Sequence, residues 1–169
     1  TFPLWYLQEV EKIRTDVTVA NLSLLNTDWY IRQLRDNQPK VNVAWTDDQI
    51  AEVEFFSTAM TGYRMNMITK DQFERYLREA GLTPYVRSIN EPLLAKDVAV
   101  ARIVEREYGK RPLYLALTVP DQMGLDHRLV QKGIVFEVEE PSSQPERIDV
   151  EETVRLLTQV YHFRSLLGP

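Results

Sequence analysis

The residues best suited to chemistry lie together near the start of the chain, between Val17 and Tyr30. Carboxamide and carboxylate groups there can hydrogen-bond sugar hydroxyls, and an aromatic ring can stack on the apolar face of a sugar. The segment therefore suggests a site for a sugar or another polar ligand. An alternative is that the polar residues cap a helix while the rings pack on a sheet, and capping alone explains most of them. The residues concerned are Asn21, Asn26, Thr27, Asp28, Trp29 and Tyr30.

Arg111 is a second candidate binding residue, because its planar guanidinium could hold a carboxylate or a phosphate. The alternative partner is a carboxylate at a nearby helix end or loop. The aromatic residues Trp5 and Tyr6 have helical spacing that indicates core packing. The resulting set of tentative ligand-binding residues is Asn21, Asn26, Asp28, Trp29, Tyr30 and Arg111.

Several other chemistries have no support in the sequence. The chain has no cysteine, which excludes thiolate catalysis, disulfides and cysteine-ligated zinc. His127 lies near Asp121 and Asp126, but this spacing matches no standard metal motif, and the other histidine is His162. The six glycines are scattered, so no phosphate-cradling loop is present. We therefore predict no catalytic residue, no cofactor and no metal in this chain.

Composition places the chain among ordinary globular domains. Its 169 residues fit one domain, and 44% of them are hydrophobic and 27% charged. The net charge of -5 gives no general attraction to nucleic acid, so no nucleic-acid partner is expected. No apolar run approaches the roughly 20 residues of a membrane-spanning helix. The chain starts with Thr1 rather than methionine, so we expect it to be a piece of a longer protein.

The elements that would hold these residues suggest an α/β fold. Val17 to Leu24 is predicted to be a strand buried on both faces, as in the centre of a parallel sheet. Further strands are predicted over Leu113–Val119 and, at the sheet edge, over Ile134–Glu139, with a short one at Val41–Trp45. Helices are predicted at Phe2–Ile13, Trp29–Arg35, Thr46–Ala59, Thr69–Gly81, Asn90–Tyr108, around His127–Gln131 and from Asp149 or Val150 onward. Thr46 with Gln49, and Thr69 with Gln72, match the capping-box pattern at two of these helix starts.

These elements predict a small, mainly parallel sheet flanked by helices. The arrangement would be Rossmann-like, with the first strand of the βαβ unit lying upstream of Thr1. Residues 1–169 would form a single α/β domain, and residues 41–85 would be a helical insertion in it.

Long stretches of the chain resemble a known family. They are Thr1–Val10, Asp16-Val17, Asn21–Ile31, Lys110–Ala116 and Gly124–Gly133. The family is a group of bacterial multi-pass membrane proteins of unassigned function. It is similar to the protein O-mannosyltransferases, whose membrane portion has the GT-C glycosyltransferase architecture and among whose wider relatives is a vertebrate O-mannosyltransferase.

The resemblance implies that this chain is the region following the membrane helices, on the extracytoplasmic side of a membrane-anchored parent. In that family a strand and an acidic Gly-Asp-Asn-Asp turn precede the position matching Thr1, and the catalytic acid lies between membrane helices. The implied function is a non-catalytic accessory domain that positions a glycan or polypeptide acceptor or contacts the membrane-embedded part. A carbohydrate-binding module and a structural protein-interaction domain are the alternatives.

Overall fold

The computed structural model describes residues 1–43, 45–79, 83, 94–119, 124–145 and 147–161, with the side chains of 52–58 left aside. The chain forms two compact units, Thr1–Glu107 and Tyr108–Pro169. The described elements of the first unit are helical, and the second unit contains a sheet. Gly81 and Asn90, which bound two of the predicted helices, lie outside the described residues.

The first unit consists of five described α-helices and one 3-10 turn. They are α1 (Phe2–Glu9), the 3-10 turn (Leu24–Asn26), α2 (Asp28–Asp36), α3 (Asp47–Arg64), α4 (Lys70–Glu79) and α5 (Ala95–Glu107).

Two helix starts follow the predicted capping boxes. At α3 the Gln49 N–H donates to Thr46 Oγ1 and the Thr46 N–H donates to Gln49 Oε1, at 3.3 and 3.1 Å. Thr69 and Gln72 repeat this exchange at 3.2 and 2.7 Å before α4. Each reciprocal pair satisfies two backbone donors that a helix start leaves open. These two predictions are confirmed.

The core of the first unit draws on all of its helices except α1. Phe73 is fully buried in α4, and its ring stacks on Tyr63 with centroids 5.1 Å apart. The other described side chains with at most 2% exposure are Leu25, Ile31, Val43, Ile50, Ala95, Val98 and Ala99. In contrast, α1 buries none of its residues.

The predicted central strand over Val17 to Leu24 is wrong. Its backbone groups are taken by side chains: the Trp5 indole donates to the Val19 carbonyl at 2.9 Å, and the Gln8 carboxamide donates to the Val17 carbonyl at 2.6 Å. The Asn21 side chain then turns the chain by accepting from the N–H groups that follow it. Such local hydrogen bonds compete with strand pairing. The run of apolar residues therefore leads into the 3-10 turn instead of a sheet.

The short strand expected at Val41–Trp45 is also absent among the described residues. Val41, Val43 and Trp45 are buried while Asn42 is exposed, so the burial alternates as in a strand. In the described part of the chain this segment pairs with no strand, and the Asn42 N–H donates instead to Glu107 Oε1 at 2.8 Å. The assignment of residues 41–85 as an insertion stays a prediction.

The second unit contains a four-stranded mixed sheet and a short C-terminal helix. Its strands are β1 (Tyr114–Ala116), β2 (Leu129–Lys132), β3 (Val135–Val138) and β4 (Arg147–Ile148), in the spatial order β1-β3-β2-β4. A 3-10 turn (Asp126–Arg128) precedes β2, and α6 (Val150–Arg155) continues into a π-helical turn (Leu156–Val160).

This topology overturns the predicted Rossmann-like, mainly parallel sheet. Strand β3 pairs antiparallel with both β1 and β2, and only β2 and β4 run parallel. The reason lies at Gly133, whose φ of +64° lets two residues join β2 to β3. A connection this short forces an antiparallel pair, since a parallel pair needs a long crossover. A side chain at 133 would also bring its Cβ within 2.8 Å of the Tyr161 hydroxyl.

Some predicted strands and helices of this unit are confirmed and others are wrong. The strand at 134–139 is confirmed as β3, but it is central in the sheet rather than at the edge. The strand at 113–119 is confirmed in its middle as β1, which lies at an edge and alternates in burial. The helix predicted near 127–131 is wrong beyond the 3-10 turn, because β2 begins at Leu129. The helix predicted at Asp149 is α6, with Asp149 Oδ1 accepting from the Glu152 N–H at 2.9 Å.

Candidate functional site

Asn21 organises the turn that leads to α2. Its Oδ1 accepts from the N–H groups of Ser23 and Leu24 at 2.9 and 3.3 Å. Its own N–H donates to the hydroxyl of Tyr30 at 2.8 Å. Tyr30 is 3% exposed, and burial raises the pKa of its hydroxyl. This pair therefore fixes the turn against α2.

Asn26 connects the same turn to α5. Its Oδ1 accepts from the Lys96 N–H at 3.0 Å, across 70 residues of sequence, and its Nδ2 donates to the Ser23 carbonyl at 3.2 Å. Lys96 lies in the first turn of α5, where backbone N–H groups have no partner within the helix. Asn26 thus caps a neighbouring helix rather than its own.

Thr27 and Asp28 form the start of α2. Thr27 occupies the N-cap position without a side-chain capping bond, and its hydroxyl donates to the Leu24 carbonyl at 2.6 Å. Asp28 Oδ1 accepts from the Trp29 N–H at 2.6 Å, and Oδ2 lies 3.8 Å from the Arg32 guanidinium. A carboxylate in the first turn is also favoured by the helix dipole.

Trp29 differs from its neighbours because 53% of its surface is exposed. Its ring meets that of Tyr30 edge to face, with centroids 5.6 Å apart. Trp29 therefore exposes part of its ring to solvent while the contact with Tyr30 restrains it. The structure brings together the five candidate ligand-binding residues from Asn21 to Tyr30. The polar ones among them hydrogen-bond to backbone groups.

Arg111 belongs to the second unit, where it lines a surface cleft. The cleft has a volume of about 340 Å³ and is lined by Tyr108, Gly109, Lys110, Arg111, Pro112, Glu137, Val138 and Glu139. Its walls are the loop before β1 and the end of β3, joined where the Val138 N–H donates to the Leu113 carbonyl at 2.9 Å.

The two glutamates of the cleft are held in place by one lysine. Lys132 Nζ lies 2.7 Å from Glu137 Oε2 and 2.9 Å from Glu139 Oε1, and these hydrogen bonds raise the pKa of Lys132. On the loop side, the Arg128 guanidinium lies 4.3 Å above the Tyr108 ring. Burial, followed by a hydrogen bond with Glu140, raises the Tyr108 pKa.

This cleft was not found from the sequence, although a signal was present. Lys132, Glu137 and Glu139 meet only if Gly133 closes a tight hairpin, and an isolated glycine between two strand-forming runs is such a signal. The sequence pattern indicated a helix over residues 127–131, so the hairpin was not predicted.

In the described ranges, no three His, Asp or Glu side chains lie close enough together to hold a metal ion. His127 Nδ1 is within hydrogen-bonding distance, 3.0 Å, of the Ser142 carbonyl. Asp121 and His162 lie outside the described residues.

Comparison with known proteins gives one family. Residues 1–91, more than half of the chain, match the model of TMEM260-associated domain 2. The chain belongs to the TMEM260-associated domain 2 family. No curated protein and no solved structure matches it. Among the helices described, none has the length and hydropathy needed to cross a bilayer.

The TMEM260-associated domain 2 match covers the segment from Asn21 to Tyr30 but neither Arg111 nor the cleft. It confirms the expected relationship in its coarser form, that of a TMEM260-related family, and it carries no information on bacterial origin. The match thus lies within the helical unit and ends before α5.

Proposed function

We propose that this chain is a non-catalytic accessory domain of a glycosyltransferase-like membrane protein related to the protein O-mannosyltransferases. The observation that carries the proposal is the match of residues 1–91 to TMEM260-associated domain 2. In this proposal the domain lies on the extracytoplasmic side and is anchored through its parent. It positions a glycan or polypeptide acceptor or contacts the membrane-embedded part of the same protein.

The surface of α1 supports a contact role. Phe2 and Tyr6 are 74% and 54% exposed, Leu4 and Leu7 of the same helix are exposed as well, and Val10 directly after it is 60% exposed. Apolar side chains grouped on one exposed helix are typical of interaction surfaces. In this proposal the partner of α1 is the membrane-embedded part of the parent.

The hydrogen bonds of the Asn21 to Tyr30 segment support a non-catalytic role. Asn21, Asn26 and Asp28 direct side-chain oxygens to backbone N–H groups, as structural caps do. A residue that transfers protons or attacks a substrate needs its reactive atom directed at the substrate.

A sugar-transfer assay tests this proposal. The purified 169-residue chain, supplied with polyprenyl-phosphate sugar donors and acceptor peptides, should transfer no sugar. The parent protein should transfer less sugar when this domain is deleted than when it is intact. Transfer by the chain alone would contradict the non-catalytic assignment, and an unchanged rate after deletion would contradict the accessory role.

The exposed ring of Trp29 favours carbohydrate binding as a second candidate function. An indole held edge to face against Tyr30 can stack on a sugar with little loss of side-chain freedom. Because the chain has three tryptophans, the Trp29 signal is the part of the fluorescence that Trp29→Phe removes. Quenching or shifting of that part by a methyl glycoside would support this function, and an unaffected spectrum would contradict it.

A further inference from the structure

Residues 1–17, which we call the α1 arm, lie almost entirely on the surface of the first unit. All of them are exposed except Trp5 and Gln8, which are partly exposed. The buried apolar side chains of this unit come from later segments, beginning at Leu25. A segment that buries so little apolar surface is expected to open at a free energy well below that of global unfolding.

Among the described residues, a single hydrogen bond joins the α1 arm to the rest of the unit. The Trp5 indole donates to the Val19 carbonyl at 2.9 Å, and its ring lies beside the buried Tyr30 ring with centroids 6.3 Å apart. Directly after the arm, the Thr18 hydroxyl donates to the Pro39 carbonyl at 3.0 Å, which holds the chain to the unit from that point onward. The boundary of a detachable segment therefore falls just before Thr18.

The α1 arm is held together by its own side chains. Gln8 Nε2 donates to the carbonyls of Arg14 and Val17 at 2.9 and 2.6 Å, which joins the end of the arm to α1. Both bonds lie inside the arm, so breaking the Trp5 contact removes neither of them. The arm should therefore open as one segment rather than residue by residue.

We propose that the α1 arm detaches from the helical unit by release of Trp5 while α2 to α5 stay folded. One hydrogen bond shifts an equilibrium by about ten-fold or less. Opening of the core, in contrast, would expose fully buried side chains such as Phe73. The use of this motion rests on the contact role proposed for α1, in which the released arm reaches the membrane-embedded part of the parent.

Native-state hydrogen exchange followed by NMR tests the proposal on the 169-residue chain. Detachment breaks the Trp5 hydrogen bond and leaves an eight-residue helix, which is not stable alone in water. The backbone amides of residues 6–10 and the Trp5 indole N–H should therefore share one protection factor, about 100-fold or more below that of the α5 amides. Low concentrations of urea should reduce the protection of α5 but not that of the arm. Equal protection of the arm and α5, or protection that differs from residue to residue along the arm, would overturn the proposal.

The exchange result is independent of the test of the accessory role. Exchange in the isolated chain measures release of the arm, whereas deletion of the domain from the parent measures the effect on sugar transfer. An arm that exchanges together with α5 would overturn detachment without touching the accessory role, and an unchanged transfer rate after deletion would do the reverse.

Two tryptophan variants distinguish detachment from fraying of α1. Trp5→Phe keeps an aromatic ring but removes the hydrogen bond to Val19, so the amides of residues 6–10 should exchange about five-fold faster while those of α5 are unchanged. Trp29→Phe is the matched control, because Trp29 also contacts Tyr30 but lies outside the arm and should leave its exchange unchanged. Identical exchange of the arm in the wild type and in Trp5→Phe would refute the proposal.

Discussion

Asn26→Ala separates a structural role of the Asn21 to Tyr30 segment from a ligand-binding one. The substitution removes the acceptor of the Lys96 N–H at the start of α5 and the donor to the Ser23 carbonyl. Each such hydrogen bond contributes about 0.5–1.5 kcal/mol, so we expect a loss of about 2 kcal/mol in the free energy of unfolding. For a chain of this length that corresponds to a fall in Tm of about 4–8 °C.

The assay is thermal unfolding followed by circular dichroism, with Asn37→Ala as the control. Asn37 is an exposed asparagine that follows α2, and its replacement should change stability by less than about 0.5 kcal/mol. If Asn26→Ala melts like Asn37→Ala and instead abolishes glycoside binding, Asn26 is a ligand residue and the capping argument is refuted.

Two further predictions concern the core of the first unit and the Lys132 ion pair of the second. Phe73→Ala should cost about 3–5 kcal/mol because the ring is fully buried, whereas Met67→Ala, at a position 75% exposed, should be near neutral in urea unfolding. The hydrogen bonds that Lys132 donates to Glu137 and Glu139 raise the Lys132 pKa above its ordinary 10.5. The stability that this ion pair contributes is therefore fully present below pH 10.5, the pKa of an unpaired lysine, and is lost as pH rises toward and through the folded-state pKa. Urea unfolding from about pH 9 to pH 11.5 should show this loss, and Lys132→Met should remove it; an identical pH dependence in both proteins would contradict it.

Local sequence signals predicted helix starts well. Thr46 with Gln49 and Thr69 with Gln72 identified α3 and α4 because both partners of a capping box are close in sequence. The capping bond at the start of α6, from the Glu152 N–H to Asp149, is equally local. Because both partners of such an interaction lie within four residues of each other, distant parts of the chain have little influence on where the helix starts.

Sheet topology was mispredicted because it depends on distant partners. The apolar run at Val17 matched the pattern of a buried strand, but side chains of Trp5 and Gln8 took its carbonyl groups. Periodicity cannot show which donor a carbonyl meets. At Gly133 the local turn geometry was decisive, and it set an antiparallel pair where a crossover had been expected.

The tentative site was predicted in part. The residues from Asn21 to Tyr30 do gather, since they lie within one short turn and the helix after it. The role of Asn26 depends on Lys96, 70 residues away, and no local pattern indicates it. Arg111 was selected for its chemistry, but Glu137 and Glu139, which line the same cleft, became visible only with the β2–β3 hairpin.

Site-specific photo-crosslinking in the membrane-inserted parent tests the accessory role most directly. A photoreactive residue at Phe2 in α1, or at the exposed Val10 directly after it, should crosslink to the membrane-embedded part of the same protein. The same residue at Met67, which is equally apolar and 75% exposed, should not. Crosslinking from α1 above the Met67 control is the predicted result. Equal crosslinking at all three positions, or none from α1, would contradict the proposal.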